Sequence, residues 1–316
     1  MENKIKLLAV CGPTASGKTA LSIELAKKFN GEIVSCDSMQ IYKGMEIGTA
    51  KPTEEEMQGI PHHLLGFCDP EETFSVVDFT ELAAKAIEDI SGRGKRPFLV
   101  GGTGLYARSL LKSIQFTENS RDDAVRAALQ AEFEACGIDG IYERLWAVDP
   151  VAAEQIHKNN TKRVLRAMEY FMVSGKPFST QAEESKNAVS NYDYIMLCLG
   201  FRDREKLYKQ IDTRVDIMLS SGLLEEARNY YDSYGSRGKT SVQAIGYKEL
   251  FPYFEGKITL EEAVEGIKRE TRRFAKRQLT WFRREENTAW LYVDDYSNVN
   301  DMIDAANEIA ARHFDI

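Results

Sequence analysis

Cysteine is sparse in this chain, and nothing in its spacing pairs it: Cys11, Cys36, Cys68, Cys136 and Cys198 stand apart, with no C-x-x-C among them. A disulfide scaffold is excluded. Cys11, Cys36 and Cys198, in or beside apolar runs, read as small buried hydrophobes in a reducing cytoplasm. Histidine is scarcer still, at 4 residues without metal-ligand spacing, so no zinc site is expected. Proline numbers 8 against 22 glycines, and no repeat or low-complexity tract interrupts the chain, which excludes collagen-like and disordered classes. No apolar run reaches the roughly 18 residues that a membrane span needs, and residues 1–6 are polar and charged. Neither a membrane span nor a secretory signal is expected, and the protein is read as cytoplasmic.

The 316 residues, 43% hydrophobic and 28% charged, suit about two globular domains. Positive charge is in deficit, at 41 Lys and Arg against 49 Asp and Glu, and the net charge of −8 argues against a nucleic-acid partner. Its distribution argues the other way. Lys268, Arg269, Arg272, Arg273, Lys276, Arg277, Arg283 and Arg284 share one segment with a single acid, Glu270. That strip carries +7 and leaves −15 for the rest.

Ile5–Val10 is an apolar run followed by Gly12 and then by a helical pattern from Thr19 to Phe29: a strand, a glycine turn and a helix. Glu32–Cys36, the run from Arg96 into Gly101, Tyr194–Phe201 and Ala289–Val293 read as further strands, and Phe79–Ile90 as a helix. Apolar strands alternating with helices predict a parallel sheet covered on both faces. From Ile114 to Tyr192 no strand is expected, and Arg121–Cys136, Val151–His157 and Thr161–Val173 read as helices. Helical segments over Arg204–Tyr231, Leu260–Arg284 and Val299–His313 follow. The expected organisation is an α/β core over residues 1–114, a mostly helical insertion over 115–192, and the rest of the core with the basic helix over 193–316.

Gly12, Pro13, Thr14, Ala15, Ser16, Gly17, Lys18 and Thr19 satisfy G-x-x-x-x-G-K-[ST] between a strand and a helix, the context this pattern requires. Such a loop turns its backbone N–H groups inward, and the following helix adds the positive end of its dipole. Lys18 supplies a cation for phosphate oxygens and the Thr19 hydroxyl a ligand for Mg²⁺. The fold class expected is therefore α/β and P-loop NTPase-like, with a polyphosphate site. The loop reads a diphosphate or triphosphate tail but not the group attached to it. ATP and an organic diphosphate are both served.

Asp37, Ser38, Met39, Gln40, Ile41 and Tyr42 follow the second strand. The carboxyl ends of the strands border the ligand crevice of an open α/β sheet, so Asp37 is expected to face the phosphate loop. By position alone it is either a catalytic carboxylate or a helix N-cap. A third strand ends in Gly101, Gly102, Thr103 and Gly104, which allow close backbone approach and offer one hydroxyl. Together GPTASGKT, DSMQIY and GGTGLY resemble the motifs of one family, the tRNA dimethylallyltransferases (tRNA isopentenyltransferases, or IPP transferases). The likeness continues in order through IGTAKP from Ile47, PHH from Pro61, FSVVDF from Phe74, KRVLRA from Lys162, QAIGYKE from Gln243 and KRQLTWFR from Lys276. It spans nearly the whole chain.

The resemblance implies a kinase-like fold that holds dimethylallyl diphosphate where a kinase holds a nucleotide. It implies a tRNA anticodon stem-loop entering from the opposite side, its target base flipped into a channel. The reaction implied is transfer of the dimethylallyl group to the exocyclic amine of adenosine 37, in tRNAs reading codons that begin with U, with release of diphosphate. At the matching positions Asp37 is the general base, Lys18 and a Thr19-bound Mg²⁺ steady the leaving diphosphate, and Arg214, in IDTRVD, lies near both substrates. Read by itself, Arg214 belongs to a solvated helix face. The tRNA contacts implied are Asp37, Ser38, Met39, Gln40, Thr103, Arg126, Lys162, Arg163, Arg166, Gln243, Gly246, Lys248, Arg273, Lys276 and Arg277. On a helix, Arg269, Arg273 and the Lys276–Arg277 pair share a face suited to a phosphate backbone, while Phe274, Gln278 and Trp281 line another, with the aromatics read as core-facing. His62 and His63, in a Pro-led loop, read as structural or as donor-pocket lining. A monomer with Mg²⁺ as cofactor and no membrane partner is expected.

Three other functions compete. A small-molecule kinase would use the same cradle for ATP, an isopentenyltransferase could act on free AMP, ADP or ATP, and a non-catalytic RNA-binding protein could keep a relic loop. A nucleotide-sized acceptor needs neither the helical insertion nor the basic helix. A relic has no need of Lys18, Thr19 and Asp37 together.

Overall fold

A computed structural model of the chain describes residues 4–114, 122–180 and 189–316. The chain divides into two compact units, Met1–Leu111 with Asn191–Ile316, and Lys112–Ser190. In the first, β1 (Ile5–Cys11), β2 (Gly31–Ser35), β3 (His62–His63), β4 (Arg96–Gly101), β5 (Tyr192–Gly200) and β6 (Thr288–Tyr292) form one sheet in the order β3-β2-β4-β1-β5-β6. Every pairing is parallel. Its helices are α1 (Lys18–Lys28), α2 (Glu54–Met57), α3 (Val76–Gly92) and α4 (Gly104–Leu111). Those of the second unit are α5 (Asp123–Cys136), α6 (Asp139–Val148), α7 (Pro150–Gln155) and α8 (Thr161–Ser174). After it the first unit resumes with α9 (Arg204–Ser220), α10 (Leu223–Ser233), α11 (Phe251–Phe254), α12 (Leu260–Phe282) and α13 (Val299–Phe314).

The strands are apolar on both faces because both faces are covered. Leu7, Ala9 and Cys11 of β1 share a core with Phe79, Ala83 and Ile87 of α3 and Tyr106 and Leu110 of α4. Leu8 and Val10, pointing the other way, share one with Leu21 and Leu25 of α1 and Met302 and Ala306 of α13. A capping box of Ser75 and Asp78 starts α3, and Thr259 with Glu262 does the same for α12. In α12 the buried residues Ala263, Gly266, Ile267, Ala275, Gln278, Leu279 and Phe282 recur at helical spacing, so Arg269, Arg273, Lys276 and Arg277 are left exposed. A further cluster joins Ile41, Tyr42 and Met45 to Val215 of α9, Leu223 and Ala227 of α10, Tyr247, and Ile267 of α12.

Three expectations are corrected here. The helical pattern over Arg204–Tyr231 is broken at Gly222, whose φ of +103° is a left-handed conformation that ends α9 and starts α10. His62 and His63 form an edge strand and not a loop, pairing with Ile33 and Val34. Two residues are too few to show a strand period. The His63 ring lies 2.8 Å from the Glu32 carboxylate and the His62 ring 2.8 Å from the Ile60 carbonyl. Arg93, with Lys95 and His63, holds the buried Glu32 carboxyl well below the usual carboxylate range. Thirdly, Tyr192 pairs with Ile5 in β5, so the inserted unit stops at Ser190 and not at 192.

The second unit has its own core, with Leu129, Ile141, Leu145, Ala153, Val164 and Ala167 packed together. Its α6 covers residues assigned to no helix from the sequence, and Arg121, the expected start of its first helix, lies outside the described residues. No described helix is long and apolar enough to cross a membrane.

Candidate active site

Because β2, β4 and β1 are neighbours, the loops leaving their carboxyl ends meet. Gly17 precedes α1 at φ +86° and no side chain caps the helix, so its first N–H groups remain for a ligand. Ser16 Oγ and Lys18 Nζ both donate to the Pro13 carbonyl, at 2.8 and 2.7 Å, which folds the lysine over its own loop.

A cavity of about 290 Å³ opens here, near the lower end of small-molecule sites. Thr14, Lys18 and Thr19 line it from the phosphate loop, Asp37, Ser38, Met39 and Gln40 from the segment after β2, and Gly48, Thr49 and Ala50 from the next loop. Arg214 of α9, Gln243, Gly246, Lys248 and Arg277 of α12 add polar groups, and Ile211, Val215, Met218, Ile245, Ile267 and Phe274 form an apolar wall. Burial pushes Lys18 down to about 8, the Arg214 charge pushes the same way, and Asp37 opposes both. Burial also lowers Arg214, against the pull of Glu56 and Asp37. Two crowded cations, one carboxylate and a helix N-terminus make this a site for a multiply charged anion.

A pH dependence follows. Below pH 8 Lys18 is charged in the empty site, and above it the amine is neutral, so an anion must draw a proton onto it to bind. Affinity for an organic diphosphate is expected to fall up to about tenfold per pH unit above pH 8. Calorimetry in two buffers of different ionisation enthalpy should find proton uptake approaching one per site near pH 9.

Asp37 does not start a helix, which corrects the N-cap alternative. Its Oδ1 instead accepts from Met39 N at 2.9 Å and Gln40 N at 3.4 Å, closing a turn, while the carboxylate lines the cavity. Thr103 is turned inward: its hydroxyl accepts from Ser38 N at 3.0 Å and donates to Ser38 Oγ at 3.3 Å. The Gln40 amide donates to Thr49 O and Ala50 O and accepts from Ser35 Oγ. Gln40 lines the cavity, and Thr103 braces Ser38, which lines it too. Arg214, expected on a solvated face by position alone, is half-buried beside Asp37 because α9 packs its other turns on α12. Lys248 Nζ donates to Gln243 O at 2.9 Å, and Gly246 takes φ +99° between them.

The basic strip is less charged than its sequence. Lys268 pairs with Asp216 at 2.7 Å, Arg272 with Asp212 at 2.5 Å and Arg273 with Glu270 at 2.7 Å. The exposed set is Arg269, Arg273, Lys276, Arg277, Arg283 and Arg284. In the second unit Arg126 and Arg166 both pair with the buried Glu169, at 3.0 and 3.1 Å, whereas Lys162 and Arg163 are exposed. Cys11, raised to about 12 by burial, stays a protonated packing group.

The sequence reading missed Glu226. From α10 its carboxylate accepts the N–H groups of Glu46, Ile47 and Gly48 at 2.9 Å and the Tyr247 hydroxyl at 2.5 Å, anchoring the loop that supplies Gly48, Thr49 and Ala50 to the cavity. Backbone donors leave no motif, so nothing in the sequence marks it.

Fold and site define a parallel P-loop α/β protein whose phosphate cradle opens on an apolar-walled cavity. The family model for IPP transferase matches residues 40–285, and that for isopentenyl transferase residues 5–66. The tRNA dimethylallyltransferase of Halalkalibacterium halodurans is 46% identical over 98% of this chain and 98% of its own, and that of Bacillus subtilis 50% identical over 91% and 90%. The solved structure of a eukaryotic dimethylallyltransferase acting on tRNA has a TM-score of 0.82 at 33% identity, over 98% of this chain and 80% of its own. The chain belongs to the IPP transferase family.

Proposed function

We propose that the protein transfers the dimethylallyl group of dimethylallyl diphosphate to the exocyclic amine of adenosine 37 in the anticodon loop of tRNAs reading codons that begin with U, releasing diphosphate. One observation carries this reading: a phosphate cradle, a carboxylate and an apolar wall face a single cavity. The cradle suits the diphosphate and the wall of Ile211, Val215, Met218 and Phe274 the five-carbon chain.

The amine nitrogen attacks the first carbon of the allyl group, a C–N bond forms, and the C–O bond breaks with its electron pair leaving on the diphosphate. The amine turns strongly acidic as the new bond forms, and Asp37 takes its proton. Lys18, Arg214 and the α1 N–H groups stabilise the charge that builds on the leaving oxygens. Among the described residues no group of three or more His, Cys, Asp and Glu could hold a metal. A Mg²⁺ ion bound with the donor would find the half-buried Thr19 hydroxyl as its protein ligand. Such an ion would neutralise leaving-group charge.

The tRNA partner meets the outward face of α12 and the arginines that follow it, and the protein acts as a cytoplasmic monomer. Six cations on phosphates are expected to give a slope of about −4 to −5 for log affinity against log salt concentration. A filter-binding salt series measures it, and a flat line removes this face from the interface.

The test of the reaction is incubation of the pure protein with undermodified tRNA and alkyl-labelled dimethylallyl diphosphate, with AMP and ATP as competing acceptors. Label in tRNA alone is expected. Label in AMP or ATP would move the acceptor to free nucleotides, and phosphoryl transfer from ATP with no labelled RNA would overturn the reading.

A further inference from the structure

Gln278 of α12 is 5% exposed, and both ends of its amide are bonded. Its Oε1 accepts from Thr14 N at 2.9 Å and its Nε2 donates to Gly102 O at 3.0 Å. Thr14 lies in the loop that carries Lys18. Gly102 precedes Thr103, whose hydroxyl takes the N–H of Ser38, the residue after Asp37. A chain of bonds thus runs from the leaving-group cradle to the turn that holds the carboxylate, and one amide closes it. The fit is tight, since a Cβ on Gly102 would strike Gln278 Nε2. The same helix lines the cavity with Phe274 and Arg277 and presents Lys276 outward.

We infer that Gln278 is a positioning residue that sets the separation of Lys18 from Asp37 and ties both to the helix receiving the nucleic acid. This rests on the alkyl-transfer reading. An amide offers an acceptor and a donor on one planar head, which is what Thr14 N and Gly102 O require. Ionised glutamate keeps the first bond and loses the second. Methionine fills the space and makes neither. Because misplacement by about 1 Å can cost about 100-fold when reacting groups must be held in register, the effect belongs in kcat.

The experiment compares wild type, Gln278→Met, Gln278→Glu and Gly102→Ala in single-turnover transfer, donor KM and binding of a tRNA anticodon stem-loop. Gln278→Met is expected to lower kcat about 30- to 100-fold, with donor KM and stem-loop affinity within about threefold. Gln278→Glu should fall too, and Gly102→Ala, which displaces the amide from the other side, should match Gln278→Met. The double variant Gln278→Met/Gly102→Ala should be no slower than either alone, since both break the same link. If Gln278→Met fails to fold, the Gly102→Ala and Gln278→Glu rates decide. Wild-type kcat in the folded variants, or a loss shared equally by kcat and both affinities, overturns the inference while leaving the reaction intact. A wild-type protein that alkylates no RNA overturns the reaction, and this inference with it.

Discussion

An Asp37→Asn variant is expected to turn over about 10²- to 10⁴-fold more slowly than wild type, the range by which a positioned proton acceptor speeds a reaction. Asparagine is the informative replacement because Asp37 has two tasks here. Its Oδ1 closes the turn through Met39 N and Gln40 N, and an amide oxygen can do the same. What asparagine cannot do is accept the proton of the attacking amine. Stem-loop affinity should therefore stay within about threefold of wild type while the single-turnover rate collapses. Asp37→Ala should be as slow, with weaker tRNA binding in proportion to the loosened turn. Near-wild-type rates in Asp37→Asn would remove the carboxylate from the chemistry.

Lys18→Met should lower kcat/KM for the donor about 10²- to 10³-fold, the usual scale for losing one preorganised group at a developing anion. Titration calorimetry should find weaker diphosphate binding and no proton uptake near pH 9. Stability should move in the opposite direction. Burial and Arg214 depress the Lys18 pKa to about 8, so its charged form is disfavoured in the empty fold. With a folded value below the unfolded one, that penalty is fully present below pH 8 and fades as pH rises towards the ordinary lysine value. At pH 7 the empty Lys18→Met protein should melt above wild type, and by pH 10 the difference should have largely gone. Donor affinity and melting temperature falling together at pH 7 would mean that Lys18 holds the loop's shape and not its ligand's charge.

Much of this site can be read along the chain because its parts are local. A phosphate loop needs glycine where φ is positive, a lysine and a hydroxyl in consecutive positions, and strand and helix periods on either side, all within about twenty residues. Asp37 and Gly101–Thr103 follow the same logic at two other strand ends. Long-range partners leave no such trace. Arg214 looks like any solvated arginine until α9 is laid against α12. Arg126 and Arg166, tRNA contacts by the resemblance, give no sign in the sequence that they share the buried Glu169. Lys268 and Arg272 contribute to a +7 strip in the sequence, yet spend that charge on Asp216 and Asp212 in the fold.

By itself, then, the order of residues determined five strands of the sheet and the cradle, since each rests on a period or spacing that neighbouring residues set among themselves, and its ordered motifs carried the resemblance to the family. The tertiary structure alone decided that Glu226 anchors a cavity wall, that the Gln278 amide spans two loops, and which cations face outward. The first two depend on a charge or amide meeting backbone groups more than a hundred positions away, and backbone N–H and C=O groups are the same at every residue, while the third depends on carboxylates of another helix, Asp212 and Asp216.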